Sequence, residues 1–554
     1  MGIKRYTANK DNTITNAFEQ NLTIRGTGSN MGAADVVEVF SIYGQAFGSS
    51  SLEGVTQTQE LSRMLVQFPI ADITTDRTNL AIPASGSVEF YLRLFNAKHA
   101  SSTPNEMTLT VVPVSSSWEE GIGLDMEGYK DLTKNITGSN WIKSGGDTNW
   151  ATIGGTYLTA AAGNRFGDRR QETTLTKASA NVEVDITDTV ERWINGPALA
   201  DLSAGDGFEN YGLGIYLTAS QEAYFSASSG DFSTGASLQM DSGSTFSYYT
   251  KKFFARTSEF FYKRPIIEAR WDSTKQDDRG KTFYSSSLAT AADNLNTIYL
   301  YNYINGRLQN IPNLTDASSK IYVQIFSGSS TNTAPSGSAI DLVTTTDYVD
   351  AAVPTVVTGG YVATGIYSAS FALTAAATPL TQIFDVWHLD GSSKLGTQIY
   401  TGSIKPKTLR ASNQNVPSSY VINISNLKPS YNTTEKIRFR VFTRLKDWSP
   451  TIYSKATAKV ENTIINDMYY KVVRVFDDMD IISYGTGSVS PQSIGSPGSY
   501  TRISYDVSGS YFDLDMSLLE PGYMYGIKMA HYQEPGYKEF GRLFNFRVDQ
   551  DQGI

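Results

Sequence analysis

Apolar and polar side chains alternate with a period of two along much of this chain. Arg63-Met-Leu-Val-Gln-Phe-Pro, Ser87-Val-Glu-Phe-Tyr-Leu-Arg-Leu-Phe and Met107-Thr-Leu-Thr-Val-Val-Pro carry the pattern early. Lys320-Ile-Tyr-Val-Gln-Ile-Phe, Lys436-Ile-Arg-Phe-Arg-Val-Phe and Tyr470-Lys-Val-Val-Arg-Val-Phe carry it later. Successive side chains of a strand point to opposite faces, so such runs predict antiparallel strands with one face buried. Ser, Gly, Thr and Asn clusters separate them, as at 328–337 and 485–498, and supply the turns. One short helix is predicted over Val184–Gly196: Thr187 or Asp188 caps it, Val190, Trp193 and Ile194 share a face, and Gly196-Pro197 ends it. The fold class expected is all-β, as tandem antiparallel β-sandwiches with very little helix.

At 554 residues the chain is too long for one core. A first unit is expected over 1–271, a second sandwich over 272–406, with strands near Ile298–Ile304, Ile321–Phe326, Tyr361–Leu373 and Gln382–His388, and a third region over 407–554. The third region has one alternative, a division into two small modules near 461. Within it, Leu427-Lys-Pro429 followed by Tyr431, and Leu519-Glu-Pro521-Gly522 followed by Tyr523 or Tyr525, have the form of the tyrosine corner of immunoglobulin and fibronectin-type sandwiches. The competing reading of each is an ordinary loop before a strand.

Composition narrows the chemistry. There are 46 Lys and Arg against 55 Asp and Glu, a formal charge of −9, with no basic block, so nucleic acid is not an expected partner. The absence of Cys removes disulfides, thiolate metal sites and Cys nucleophiles together. His99, His388 and His531 are far apart in sequence, and neither shared metal binding nor catalysis is expected of them. The opening Met-Gly-Ile-Lys-Arg-Tyr lacks the apolar stretch of a secretory signal, and no run of about 18 apolar residues predicts a membrane helix. Gly212-Leu-Gly214 and Gly485-Thr-Gly487 lack the spacing of a phosphate loop. No cofactor and no metal is expected.

Several fragments of the first unit occur in a recognisable order. They are Arg63-Met-Leu-Val-Gln-Phe, Val112-Pro-Val-Ser-Ser-Ser-Trp118-Glu119-Glu120, Val184 to Gly196 around Trp193, Asn210-Tyr-Gly-Leu-Gly-Ile215, and Arg256-Thr-Ser-Glu259 with Arg264-Pro265 to Trp271. Together they resemble the DNRLRE-type domain, a family of β-sandwich modules of which some bind carbohydrate. The opening Asp11-Asn-Thr-Ile-Thr-Asn-Ala-Phe and Gly26 to Asp35 depart from the usual family start while keeping its Asn and Gly turn chemistry. The whole chain resembles virion structural proteins of tailed phages, particularly those of marine bacteria. That resemblance implies a non-enzymatic virion component, in tail, neck, fibre or capsid appendage, made in the host cytoplasm and docking on other virion proteins in a symmetric assembly. The alternative is a carbohydrate-binding adhesion protein that holds a polysaccharide, such as a host surface glycan. An enzyme with an all-carboxylate or Tyr/Arg site is a third and weaker reading.

Candidate contacts are few. Trp141 and Trp150 bracket the polar loop Lys143 to Asn149, which carries Asp147, and these three residues are the best glycan or partner patch in the sequence. Its competing reading is that both indoles cover the end of a sandwich. Trp118 beside Glu119 and Glu120 is expected to pack, with an acid tethering a turn, because adjacent strand residues point apart and cannot form an opposed carboxylate pair. Asp477-Asp478-Met-Asp480 and Asp513-Leu-Asp515 lack calcium-loop spacing and are expected at solvated strand edges. Arg438, Arg440 and Arg444 line one polar strand face, either solvated or facing an acidic partner.

Overall fold

The computed structural model describes residues 1–17, 19, 26–43, 59–98, 106–124, 138–159, 167–177, 179–196, 207–222, 249–286, 289–290, 292–315, 318–329, 331, 333–344, 348–374, 380–389, 397–407, 419–449, 452, 462–487, 498–533 and 536–550. The chain divides into two compact units, Gly2–Asp272 and Ser273–Ile554. Strands dominate both, and the described residues hold two α-helices, Ile70–Thr78 and Thr187–Asn195. The chain is all-β, and none of its described helices is long and apolar enough to cross a membrane.

In the N-terminal unit a four-stranded sheet runs in the order Gly2–Thr7, Ile266–Trp271, Glu89–Leu94, Val182–Asp185. It faces a seven-stranded sheet whose path is Tyr249–Phe254, Val36–Tyr43, Gln59–Gln67, Leu213–Leu217, Met107–Pro113, Gln171–Leu175, with Lys10–Thr15 also pairing to Gln59–Gln67. The alternation fixes which side chains meet: Phe90, Leu92 and Ile267 from the first sheet pack on Val39, Met64, Val66, Leu109 and Ile215 from the second. Leu61 and Leu65, three and one positions from Met64, point to the other face of the large sheet and seed a separate small core.

The helix Thr187–Asn195 buries Val190 and Trp193 and ends at Gly196, whose φ of 68° suits glycine. Its N-terminus differs from expectation. Neither Thr187 nor Asp188 caps it: Ile186 holds the cap position, and Asp185 accepts from the Thr187 N–H at 2.9 Å. The helix Ile70–Thr78 has no counterpart in the sequence reading. Its three Thr disfavour helix, but the hydroxyls of Thr74, Thr75 and Thr78 donate to the carbonyls four residues back, while Ile70 and Ile73 are buried. Arg77 forks onto Glu191 at 2.6 and 2.7 Å and ties the two helices together.

The second unit opens with one antiparallel six-stranded sheet, in the order Asn296–Tyr301, Ile366–Phe371, Val356–Ala363, Lys320–Gly328, Gln382–His388, Gln398–Ile404. The apolar run near 361–373 is thus a hairpin, turned at Gly365 with φ 69°. Among the described residues this sheet is joined by one two-stranded ribbon, Tyr303–Ile304 with Arg307–Leu308, where the sequence leads one to expect a second full sheet. The segment before the sheet bridges across it: Phe283 pairs with Lys407, just past the edge strand Gln398–Ile404, and Tyr284 pairs with Leu373, just past Ile366–Phe371, the second strand from the opposite edge. Ile311, Leu314, Leu342 and Val349 from connecting segments cover the apolar face.

Residues 420–549 form a two-sheet sandwich. One sheet runs Tyr420–Ile424, Lys436–Leu445, Gly509–Asp515, Ser504–Asp506; the other runs Ser430–Asn432, Phe544–Asp549, Met524–Gln533, Met468–Arg474, Met479–Ile482. In immunoglobulin lettering these are A-B-E-D against G-F-C with short additions at each edge. Strands before and after position 461 pair directly, Lys436–Leu445 with Gly509–Asp515, so no division falls near 461. Both tyrosine corners are present. The Tyr525 hydroxyl donates to the Glu520 carbonyl at 2.7 Å, and the Tyr431 hydroxyl accepts from the Lys428 N–H at 2.7 Å. Tyr525, buried in the core, fills the second corner.

Candidate functional site

The small core on the outer face of the large N-terminal sheet places the residues singled out in the sequence. Trp118, Trp141 and Trp150 pack on Ile14, Leu61, Leu65 and Val114. Trp141 is 3% exposed and Trp150 4%, so the exposed aromatic rim expected around 143–149 is not there. The cause is geometric: the hairpin of Lys143–Gly145 and Thr148–Asn149 folds back so that its flanking indoles cover the sheet. The Trp150 indole N–H donates to the Asn140 carbonyl at 2.8 Å and that of Trp118 to the Tyr211 carbonyl at 2.7 Å. Asp147 alone of the three expected residues stays in solvent, at the turn, 3.1 Å from Lys143 Nζ.

Arg63 locks this corner. Its guanidinium lies over Tyr216 at 4.6 Å, Trp141 at 5.5 Å and Tyr157 at 5.8 Å, and forks onto Glu222 at 3.0 and 3.1 Å. Gly214 belongs to the same packing, because a Cβ there would stand 2.1 Å from the Tyr157 ring. A cation stacked on aromatics and neutralised by a buried carboxylate is a rigid element rather than an open binding face.

Glu119 and Glu120 lie beyond the strand Met107–Pro113 and take different surroundings. Glu119 is exposed, whereas Glu120 receives a fork from Arg256 at 2.9 and 3.0 Å and the Asp11 N–H at 2.9 Å. Asp11 accepts from the Arg256 N–H through one oxygen, while its other oxygen is buried with no partner. Burial pushes its carboxyl up to about 7, with Glu120 adding to the rise against the pull of Arg256 and Arg264. Nothing local in sequence marks this group, since its partners stand 109 and 245 positions away.

The outer face of the four-stranded sheet carries a second charged network. Glu268 accepts from Arg5 at 2.7 Å, Arg93 at 3.2 Å and Arg270 at 2.7 Å, and Arg270 forks onto Glu183 at 2.9 and 3.0 Å. Burial alone would raise the Glu268 carboxyl; the guanidiniums of Arg93, Arg5 and Arg270 outweigh it and hold the group well below the usual range. In the second unit Asp385, on the six-stranded sheet, accepts from Arg279 at 2.7 Å and from the Trp387 indole at 2.7 Å. Burial pushes neighbouring Asp277 up to about 6, partly offset by Arg279.

The remaining clusters are internally paired. Asp477 holds Arg474, Asp480 lies 3.5 Å from Lys471, Asp513 holds Arg438, and Asp515 caps the turn at Ser517 and meets Lys436. Arg440 donates to Asp506 and Arg444 to the Leu445 carbonyl. His388 and His531 are buried in different sheets, His531 stacked on Phe540 at 4.8 Å, while His99 lies outside the described residues. Among the described residues no three acidic or His side chains are placed to hold a metal ion.

Two exposed apolar rims are not foreshadowed in the sequence pattern. In the N-terminal unit Phe260 and Phe261, the latter 59% exposed, stand with Lys263 over the Phe260 ring at 5.1 Å and Arg264 over the Phe261 ring at 5.4 Å. In the C-terminal sandwich Phe476 is 85% exposed at the turn after Met468–Arg474, with Val475 hydrogen-bonded to exposed Met524 and Asp477 beside it. A shallow hollow of about 620 Å³ lies on the six-stranded sheet, lined by Lys320, Tyr348, Thr358, Tyr361 and Ser368 among others.

No family model and no curated protein matches the chain. Among solved structures the chain is similar to that described as "Crystal structure of chicken CNTN1 FN1-FN3 domains", at 10% identity over 55% of this chain and 82% of that one, with a TM-score of 0.13. That superposition carries no argument. The immunoglobulin-like character of 420–549 rests on its own strand order and tyrosine corners.

Proposed function

We propose that this chain is a non-enzymatic structural component of a tailed-phage virion, built from an N-terminal DNRLRE-like sandwich and further β-modules, that works by docking on neighbouring virion proteins. The observation that carries the reading is the contrast between paired interior charge and exposed apolar rims at Phe260–Phe261 and Val475–Phe476. Clusters of large apolar side chains with charged neighbours are what subunit contacts use. Repeated in a symmetric assembly, such contacts add up. The test is quantitative mass spectrometry of purified particles. Recovery at a fixed copy number supports the reading, and absence from particles removes it.

Carbohydrate binding is the second reading, and one feature favours it. The hollow at Tyr348 and Tyr361 combines aromatic faces with hydroxyls, the two things a sugar surface matches. A glycan array with the wild-type chain and Tyr348→Ala decides it: binding lost in the variant supports an adhesive role, and no binding by the wild type ends it. The buried Trp141 and Trp150 do not enter this reading.

A further inference from the structure

A lysine on the core-facing side of a strand carries the cost of stripping water from its ammonium. Lys251 is such a residue. On strand Tyr249–Phe254 it alternates with Phe253, and both are fully buried. Burial pushes its pKa down to about 8, so the neutral amine is well populated under mildly alkaline conditions. The Lys251 Nζ stands 2.6 Å from the side-chain Oδ1 of Asn96. Backbone pairing fixes that meeting: Asn96 opposes Phe253 in an antiparallel bridge, the Phe254 N–H donates to the Phe95 carbonyl, and the Ala97 N–H donates to the Lys252 carbonyl. The Asn96 N–H is itself held by the Asn181 side chain at 2.9 Å. A buried amine and a side-chain carboxamide are therefore pressed together on one sheet face.

We propose that Lys251 and Asn96 condense into an intramolecular isopeptide cross-link. The lone pair of the neutral Nζ adds to Asn96 Cγ and a Cγ–Nζ bond forms. The Cγ–Nδ2 bond breaks, one proton passes from Nζ to Nδ2, and ammonia leaves. Atoms balance with no oxidant, cofactor or second substrate. The fixed approach of the two groups supplies the proximity that a bimolecular aminolysis lacks. The product is a neutral amide where a buried ammonium would stand, which removes the desolvation cost that Lys251 otherwise imposes. The bond joins positions 155 apart in sequence and ties the edge of the seven-stranded sheet to the segment leaving the four-stranded one. Such a tie suits a protein under load, but the chemistry does not depend on the virion reading and is tested separately from it.

The experiment is intact-mass measurement of the full chain after incubation at roughly pH 9, above the lysine's lowered pKa, followed by tryptic mapping. The expected mass falls short of the sequence mass by one ammonia, with the peptides containing Asn96 and Lys251 joined and cleavage after Lys251 lost. Lys251→Met and Asn96→Ala each restore the full sequence mass. Asn96→Asp, a carboxylate at that pH and no acceptor for the amine, keeps the full sequence mass. Full mass in the wild type with both peptides free overturns the proposal. So does an ammonia loss that persists in Lys251→Met.

Discussion

On the outer face of the four-stranded N-terminal sheet, Glu268 lies beneath three guanidiniums; at the centre of the C-terminal sandwich, Phe512 stacks on Tyr470 at 4.2 Å and leans on Phe439 at 5.2 Å. The first arrangement is directional and charged, the second is apolar and depends on shape. Each buried charge needs its specific partner, and losing one leaves the others exposed to their full desolvation cost. A ring in an aromatic cluster loses only its own contacts when trimmed. Two regions of one all-β chain should therefore respond differently to the same class of perturbation.

The largest effect is expected from Glu268→Gln, which removes the buried carboxylate shared by Arg5, Arg93 and Arg270 and leaves Glu183 as the acid facing Arg93 and Arg270; it should cost the N-terminal unit roughly 3–5 kcal/mol in denaturant unfolding. The matching change in the other region, Phe512→Leu, should cost the C-terminal sandwich about 1–2 kcal/mol without altering the pH profile. If the two losses were equal, the contrast between charged and aromatic interiors would be wrong.

Acid and base sharpen the same contrast. Glu268 has a depressed folded pKa against an ordinary 4.5, so its contribution is present above that value and fades as pH falls below it. Asp11 works in the opposite sense: its pKa, raised from 3.8 to about 7, gives a contribution present below 3.8 and lost as pH rises through 7. Asp11→Asn should therefore stabilise the N-terminal unit at pH 8 by about 1–3 kcal/mol and have little effect at pH 4, read by melting at the two values. The smallest effect is expected from Tyr525→Phe, which removes the corner hydrogen bond to Glu520 and should lower stability by about 1 kcal/mol.

The period-two runs were legible because strand alternation is local, and the tyrosine corners because hydroxyl and acceptor lie five positions apart, Tyr525 to Glu520. The helix around Trp193 was legible for the same reason. What escaped is long-range. The Glu268 network joins strands separated by as many as 263 positions, and no window of sequence holds both Arg5 and Glu268. Trp141 and Trp150 looked exposed because their loop is polar; the strand they cover, Gln59–Gln67, is apolar on both faces only in part, and its second face becomes visible once the hairpin folds over it. The bridges of Phe283 to Lys407 and Tyr284 to Leu373 join segments 124 and 89 positions apart, which no periodicity records.

On the proposed reading, interior charge holds the modules together and the exposed apolar rims at Phe261 and Phe476 meet neighbouring subunits. The most direct measurement is incorporation of Phe261→Ser and Phe476→Ser chains into particles, with melting recorded on the same preparations. Both variants should melt as the wild type does and be depleted from particles. Incorporation at the wild-type level, with melting unchanged, would contradict the assignment of docking to these rims.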